Sequence, residues 1–511
     1  MSNVKRDIII SSTNEETRIA LCEDGKVVEA YVERPDNERM IGDIYKGRVK
    51  KVLPGMKAVF VDIGMPNDAF LHFSDYGGNI DRFIRARKKE KHLPNKKTHP
   101  RQKPDPTKEL SPGDDLFVQI TKEAFANKGC RVSSEVMIPG RFVVLVPKSQ
   151  MIGVSKKVSS FKERKRLKNL AKNSLPEGFG LIIRTVCEGK SEEVLTHDIN
   201  RLLDLWRQFE KDGRKAHAPA CVYSDSGLAD SVIRDLFTDD VNRLVCDTRK
   251  VYRQIRKYVK DVAPELLDKV EYYNQKQPLF DSLHNIERDI QRSMEKRIWM
   301  NNGGYLFIEP TEALTSIDIN SGRYMGKGTQ EENSLKVNLD AAKEIARQIR
   351  LRDIGGLIII DFIDMLEEEN KIKLYNFVIE EFKRDRAISN IAELSRFGLM
   401  EMTRQRLRPS LVHTVSDECP RCKGTGLIAS KDTVLAKIER FIKRYRAAKG
   451  GRKIYLKVHP IIFDFLQEKR NRRINRLMWK YWVIVSFIPD ESLNPESYKP
   501  FNKKFEEISL D

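Results

Sequence analysis

Short alternations of apolar and polar residues open the chain. "DIIISS", "ETRIALCED" and "KVVEAYVER", between residues 4 and 32, each read as a strand with one buried face. From Gly42, Gly and Pro turns divide "GDIYKGRVKKVLPGMKAVFVDIGMPNDAFLHFSD" into further short strands. These are predicted to expose Tyr45, Phe60, Phe70 and Phe73 among Lys46, Arg48, Lys50 and Lys51. "LFVQITKEAFANKGCRVSS" (116–134) reads as the closing strands of the same small barrel. Aromatics interleaved with cations on short strands suit an OB-fold, where bases stack on rings and phosphates meet cations; the competing reading makes some of the phenylalanines core. Between the halves, residues 82–110 are rich in Lys, Arg and Pro with little to bury, which predicts a long exposed loop.

Further on, the strand "GLIIRT" delivers Arg184 and Thr185 to its end, and Ser191 is a good N-cap for the helix that follows. A guanidinium, a hydroxyl and a helix N-terminus together would suit a phosphate. "CEGKS" is not a Walker loop, because Arg184 stands where that pattern needs Gly. Residues 230–300 are mostly helical in pattern. "GGYLFIEPTEALTSIDINSGRY" (303–324) then reads as a hairpin. A long helix follows, predicted to end at Gly355 and Gly356 as C-cap. The next strand, with four consecutive apolar residues from Leu357 to Ile360, is predicted to be buried on both faces. With its following helix this makes an α/β unit, most simply a parallel pair with a right-handed crossover. Residues 430–511 repeat the theme as a small βαβ-type domain.

Composition narrows the function classes. The 511 residues suggest several domains, and 93 Lys and Arg against 74 Asp and Glu give a net charge of +19. That excess suits a polyanionic partner, with nucleic acid first. No apolar run is long enough for a membrane span, and "MSNVKRDIII" lacks the apolar core of a signal peptide, so a cytoplasmic protein is expected. Seven mostly isolated cysteines argue against a disulfide framework.

Two strands of the α/β unit end in acid: "SIDIN" with Asp318 and Asn320, and "LIIIDFID" with Asp361 and Asp364. Residues i and i+2 of a strand share a face, so Asp318 and Asn320 point the same way. Carboxylates at the carboxyl ends of such strands lie where α/β sheets bind ligands, and oxygen donors suit Mg²⁺ or Mn²⁺. The alternative is a salt-bridge site with Arg347, Arg350 or Arg352 of the intervening helix. "CPRCKGTG" is a Cys-x₂-Cys knuckle offering zinc two of its four ligands, Cys419 and Cys422. With no second pair in the chain, the economical solution is two chains sharing one zinc. A redox role would need thioredoxin-like surroundings, whereas this pair reads as lying in a linker.

"TEALTSIDINSG", "RLRDIGGLIIIDFIDM", "RFGLMEMTRQRLRPS" and "CPRCKGTG", in this order, resemble the ribonuclease E/G family, its short G-type members most closely. The resemblance covers essentially the whole chain. It implies an α/β multidomain fold: an RNase H-like part in two segments (1–40 and 231–293), an OB-fold (41–134) and a 5′-sensor region (135–230). A deoxyribonuclease I-like catalytic domain (294–415), a zinc link (416–429) and a small α/β dimerisation domain (430–511) follow. By the same resemblance Asp318 and Asp361 bind catalytic Mg²⁺ and Asn320 is the catalytic asparagine near them; Asp364 lies in the same motif and is assigned only a supporting role. Arg184 and Thr185 recognise a 5′-monophosphate, and Phe60, Phe70 and Lys128 hold single-stranded RNA. Cys419 and Cys422 bind the shared Zn²⁺ of a homodimer, with dimers free to pair into tetramers. A degradosome scaffold region is expected to be absent.

The expected function is a Mg²⁺-dependent endoribonuclease on single-stranded RNA, favouring 5′-monophosphorylated ends, in rRNA maturation and mRNA turnover. The rivals are a catalytically silent RNA clamp and a DNA nuclease.

Overall fold

Alternation in the N-terminal segment becomes three antiparallel strands, Arg6–Ser12, Thr17–Glu23 and Lys26–Glu33. The computed structural model describes residues 4–34, 40–77, 105–124, 128–158, 160–224, 228–324, 326, 328–406, 410–417, 419–422, 424–448 and 451–508. Most of the basic segment 82–110 thus lies outside the described residues; its end forms the short helix Pro106–Glu109. Val241–Cys246 joins the first strand in parallel and Val270–Tyr272 extends the sheet, so two distant stretches build one layer. Ile8, Ile10, Leu244 and Cys246 pack there against Ile255 and Val259 of helix Arg249–Val262.

The next sheet closes on itself. Its order is Ile44–Leu53, Ala58–Asp62, Ala69–His72, Arg131–Ser133 and Asp115–Lys122, with the last strand paired back to the first. Gly47 permits this curvature, since a Cβ there would sit 2.5 Å from Val61 Cγ1. Ala220–Tyr223 adds to the outside of the first strand. A four-stranded sheet around Val143–Pro147 and Phe179–Ile183 packs on helices Phe161–Ser174 and Glu192–Lys215. It shares a core with the barrel through Phe117, whose ring lies 5.2 Å from that of Phe209.

Residues 297–404 form a six-stranded sheet in the order Arg297–Trp299, Tyr305–Pro310, Leu314–Asn320, Gly356–Asp361, Leu399–Arg404, Ser389–Leu394. Only Leu314–Asn320 and Gly356–Asp361 are parallel, joined by helix Gln330–Arg352. That helix and Glu368–Phe382 cover a single face, on Leu306, Ile308, Ile317, Ile358, Ile360, Met400 and Met402. The strand predicted to be buried on both faces is therefore buried on one: Leu357 is 39% exposed, Ile359 partly so. Four apolar residues in a row carry no alternation to reveal this. The helix ends earlier than predicted, with Asp353 in the left-handed region (φ 51°) as its C-cap. Gly355 instead gives space to Arg406, whose Cγ would lie 2.5 Å from a Cβ at that position.

The chain divides into two compact units, 1–415 and 416–511. The second has the parallel strands Lys453–Val458 and Ile484–Pro489 joined by helix Pro460–Tyr481, with Tyr498–Phe501 antiparallel on the other side. Among the described residues no helix is long and apolar enough to cross a membrane.

Arg404 fastens the end of the six-stranded sheet. Its side chain is only 4% exposed and donates to Asp385 at 2.7 Å, Asp353 at 2.7 Å and the Ile354 carbonyl at 3.0 Å. Removing one member of such a buried network leaves uncompensated charge. Arg404→Ala is expected to destabilise the fold by about 3–5 kcal/mol in denaturant unfolding.

Candidate active site

Register creates the site. In the parallel pair, Leu314 lies opposite Leu357 and Asp318 opposite Asp361, each the last position but two, or the last, of its strand. Ile317, Ile319, Ile358 and Ile360 point into the helices, so the alternate residues Asp318 and Asp361 emerge on the uncovered face and are exposed. Asn320 donates its Nδ2 to Asp318 Oδ2 at 2.7 Å. Beyond the strand, the backbone of Ile363 is gripped at both ends by fully buried Asn338, which donates to its carbonyl at 2.8 Å and accepts from its N–H at 3.0 Å. That clamp sets the turn carrying Asp364, which lines a cavity of about 250 Å³ with Lys371, Arg396 and Gly398.

The arginines that could have made this a salt-bridge site are committed elsewhere. Arg347 binds Glu344, Asp289 and the Val27 carbonyl, and Arg350 binds Glu23 and Glu29. Arg352 donates to Gln348 and the Glu295 carbonyl. Among the described residues no cationic side chain pairs with Asp318, Asp361 or Asp364. Burial, followed by the charges of Asp318 and Asp364, raises the Asp361 carboxyl above its ordinary range. An unneutralised pair of hard oxygen donors is what a divalent cation relieves. No group of three or more His, Cys, Asp or Glu gathers to hold a metal among the described residues. A cation held by this pair alone would have its other coordination positions open to water.

On the barrel, Phe60 and Phe70 are cross-strand partners with rings 5.9 Å apart, edge to face and partly exposed, and Lys128 is exposed. Their neighbours depart from expectation. Tyr45 and Phe73 pack against the barrel core, and burial pushes the Tyr45 hydroxyl up to about 12. Lys46 is buried, donating Nζ to the Gly213 and Ala216 carbonyls at 3.2 and 3.0 Å, so it is a structural cation. Strand periodicity alone does not say which face the neighbouring sheet covers.

Arg184 and Thr185 are adjacent at the end of Phe179–Ile183. Arg184 donates to the Gly140 carbonyl at 3.0 Å and to Asp235 at 2.7 Å, while Thr185 Oγ1 lies 3.0 Å from Ser155 Oγ. Ser191 occupies the N-cap position but makes no side-chain cap hydrogen bond, and Glu192 and Glu193 fill the first turn. That helix start is consequently a poor anion site, unlike the sequence expectation. Cys419 is exposed, and backbone N–H groups of Cys422 and Arg421 hold its thiol below the usual range. Such N–H···S contacts favour the thiolate that zinc takes.

The model of the Ribonuclease E/G family matches residues 137–407, the stretch containing both opposed carboxylates. Ribonuclease G of Haemophilus influenzae is 35% identical over 460 residues, 90% of this chain and 91% of that protein. Ribonuclease G of Escherichia coli is 34% identical over 468 residues, 92% of this chain and 94% of that one. Ribonuclease E of Haemophilus influenzae is 32% identical over 503 residues, 98% of this chain and 52% of that protein. The chain belongs to the ribonuclease E/G family. A second model, RNase E/G thioredoxin-like domain, matches residues 418–502, so the cysteine pair falls inside the stretch matched to a thioredoxin-like domain where the sequence reading sees only a linker. Cys419 nevertheless lies in irregular backbone and Cys422 in a turn, both ahead of helix Lys431–Ala447, with no helix starting at either.

Residues of this ribonuclease E/G chain that sequence reasoning missed include Asn338, Asp235 and Ser155, all polar partners placed by tertiary packing. Only Asn338 left a trace, as an amide on a helix face otherwise rich in apolar residues. A divalent cation held by this pair would act visibly on stability. The folded pKa of Asp361 is raised, so without metal the fold loses stability as pH climbs through the carboxylate range. Asp361→Asn removes that loss, and in EDTA near neutral pH its Tm is expected to equal or exceed that of the wild type. Added Mg²⁺ should raise the Tm of the wild type only. A clear drop for the variant in EDTA would mean that a protein cation holds the carboxylate.

Proposed function

We propose that this endoribonuclease cuts single-stranded RNA with Mg²⁺ held by Asp318 and Asp361, preferring substrates with a 5′-monophosphate. The observation that carries the reading is the pair of register-matched carboxylates on an uncovered sheet face, with no side-chain cation paired to them among the described residues. Asp318 and Asp361 would hold the metal, which would lower the pKa of water and offset charge developing on the phosphate. The Asn320 amide occupies one oxygen of Asp318 and leaves the other free. Asn338 keeps the turn after Asp361 from drifting, which preserves the geometry on which such chemistry depends.

The barrel's strand order supports an OB-fold, with Phe60, Phe70 and Lys128 as the RNA grip. Arg184 is oriented by Asp235 and Gly140, and with Thr185 would take the 5′-phosphate; the guanidinium keeps further N–H donors for it, and the Thr185 hydroxyl can donate when Ser155 supplies the proton between them. The first unit would then combine RNase H-like, OB-fold, 5′-sensor and deoxyribonuclease I-like parts within the boundaries drawn from the sequence. Cys419 and Cys422 would share Zn²⁺ with a second copy, since one chain supplies two ligands where zinc takes four. Exposed Trp479, Trp482 and Ile484 beside the edge strand Ile484–Pro489 support further self-association of the small domain. In the cell the enzyme would act in the cytoplasm on rRNA precursors and mRNA.

The test uses one short single-stranded RNA with a 5′-monophosphate or 5′-triphosphate, and DNA of the same sequence. Wild type and Asp361→Asn are compared in Mg²⁺ and in EDTA. Cutting of RNA alone is expected, faster on the monophosphate, lost in EDTA, and lowered about a thousandfold or more by the substitution. Tight RNA binding by a wild type that never cuts would instead make the protein a clamp. For the zinc, Cys419→Ser is expected to halve the sedimentation mass and remove bound zinc; unchanged mass would break the shared-site reading.

A further inference from the structure

The uncovered face carries more than acid. Arg297 and Trp299 lie on the edge strand, and Tyr305 and Phe307 on the strand beside it. Trp299 is register partner to Tyr305, and Arg297 to Phe307; Tyr305 in turn pairs with Asn320, and Phe307 with Asp318. All four side chains therefore share the face of the carboxylates, while Ile298, Leu306 and Ile308 fill the core behind. The Trp299 and Tyr305 ring centroids are 5.0 Å apart, and Phe307 meets Tyr305 edge to face at 5.8 Å. Arg297 Cζ lies 5.2 Å from the Trp299 ring and 5.8 Å from that of Tyr305. Trp299 is 51% exposed, and among the described residues no carboxylate pairs with Arg297.

A large indole left half in water is not serving the core. Its surroundings specify an occupant: a cation stacked on rings, one or two strands from a phosphodiester-cutting pair. Strand spacing puts Phe307 about 5 Å and the edge strand about 10 Å from Asp318, distances a base spans from its own phosphate. We propose that Arg297, Trp299, Tyr305 and Phe307 form a stacking platform for the base of a nucleotide flanking the scissile phosphate of single-stranded RNA. The inference rests on the nuclease reading above. Ring faces accept any base, so the platform positions the strand with little regard to sequence, and Arg297 meets the adjoining phosphate.

The experiment measures kcat and KM for wild type, Trp299→Ala, Trp299→Phe and Arg297→Ala on a 5′-monophosphorylated RNA with one cut site. A matched series carries an abasic nucleotide at each position flanking the cut. Trp299→Ala is expected to lower kcat/KM about tenfold or more, mainly through KM, with Trp299→Phe close to wild type. One abasic RNA should lose as much with wild type and no more with Trp299→Ala, because the pair shares one interaction. Unchanged cleavage by Trp299→Ala overturns the proposal, as does an equal loss on every abasic RNA. A change in sedimentation mass with kcat/KM unaltered would make this face a contact between copies and equally overturn it. If the wild type cuts no RNA, the nuclease reading fails by itself; anisotropy titrations of the same RNAs in EDTA still judge the platform by the same abasic comparison. Arg297→Ala, which removes no core side chain, gives the second variant should Trp299→Ala fold poorly.

Discussion

Two like charges facing each other across one step of a parallel sheet are the constraint around which the first unit is organised. Asp318 and Asp361 come from different strands, and only the exact pairing of Ile317 with Ile360 brings them opposite. A slip of one residue would turn one carboxylate into the hydrocarbon behind the sheet. The isoleucines at alternate positions resist that slip, since each would have to exchange its place in the core for water. Hydrophobic burial on one face thus holds electrostatic repulsion in place on the other. Without a cation this arrangement costs stability, and the raised Asp361 carboxyl reports that cost.

The crossover helix Gln330–Arg352 supports this arrangement from both ends. Thr329 and Glu332 close a capping box at its start, and Asn338 on its buried side holds the turn after Asp361. Its last turns carry the arginines that meet Glu23, Glu29 and Asp289, acids of the N-terminal layer and its flanking helix. The helix therefore removes its own cations from the acidic pair by pairing them in another direction. Selection of partners at one end leaves the charge at the other uncompensated, which is the condition the proposed metal site answers.

Much of this could be read from the chain. The hairpin at 303–324, the crossover and the terminal βαβ unit follow from periodicity and turn residues, and the acids stood out because they end apolar strands. Other features were illegible for definite reasons. A run such as Leu357–Ile360 has no alternation, so which face it buries depends on where two distant helices dock. Lys46 looked like a phosphate contact, yet its place opposite the end of helix Glu192–Lys215 makes it a bridge to backbone carbonyls. Asp353 took the left-handed C-cap that the glycines after it were expected to supply, which short polar side chains tolerate. Arg184 was visible as a strand-end cation, but its orienting partner Asp235 lies on a helix far along the chain.

Arg297, Trp299, Tyr305 and Phe307 illustrate the same limit most sharply. In the sequence they alternate with Ile298, Leu306 and Ile308, and alternation says only that two sets of residues face opposite ways. Either set could have been the core. The helices decide, because they pack on the isoleucines and leucine and leave the rings outside. Once that choice is made, the open face acquires an order of its own: cation and indole at the edge, two rings further in, an acid pair at the centre. Such a gradient from stacking surface to charged centre matches an extended polyanion whose bases and phosphates must be held separately. A compact ligand enclosed by a cavity would be walled off from water, whereas Asp318, Asp361 and Trp299 all stand exposed on this face.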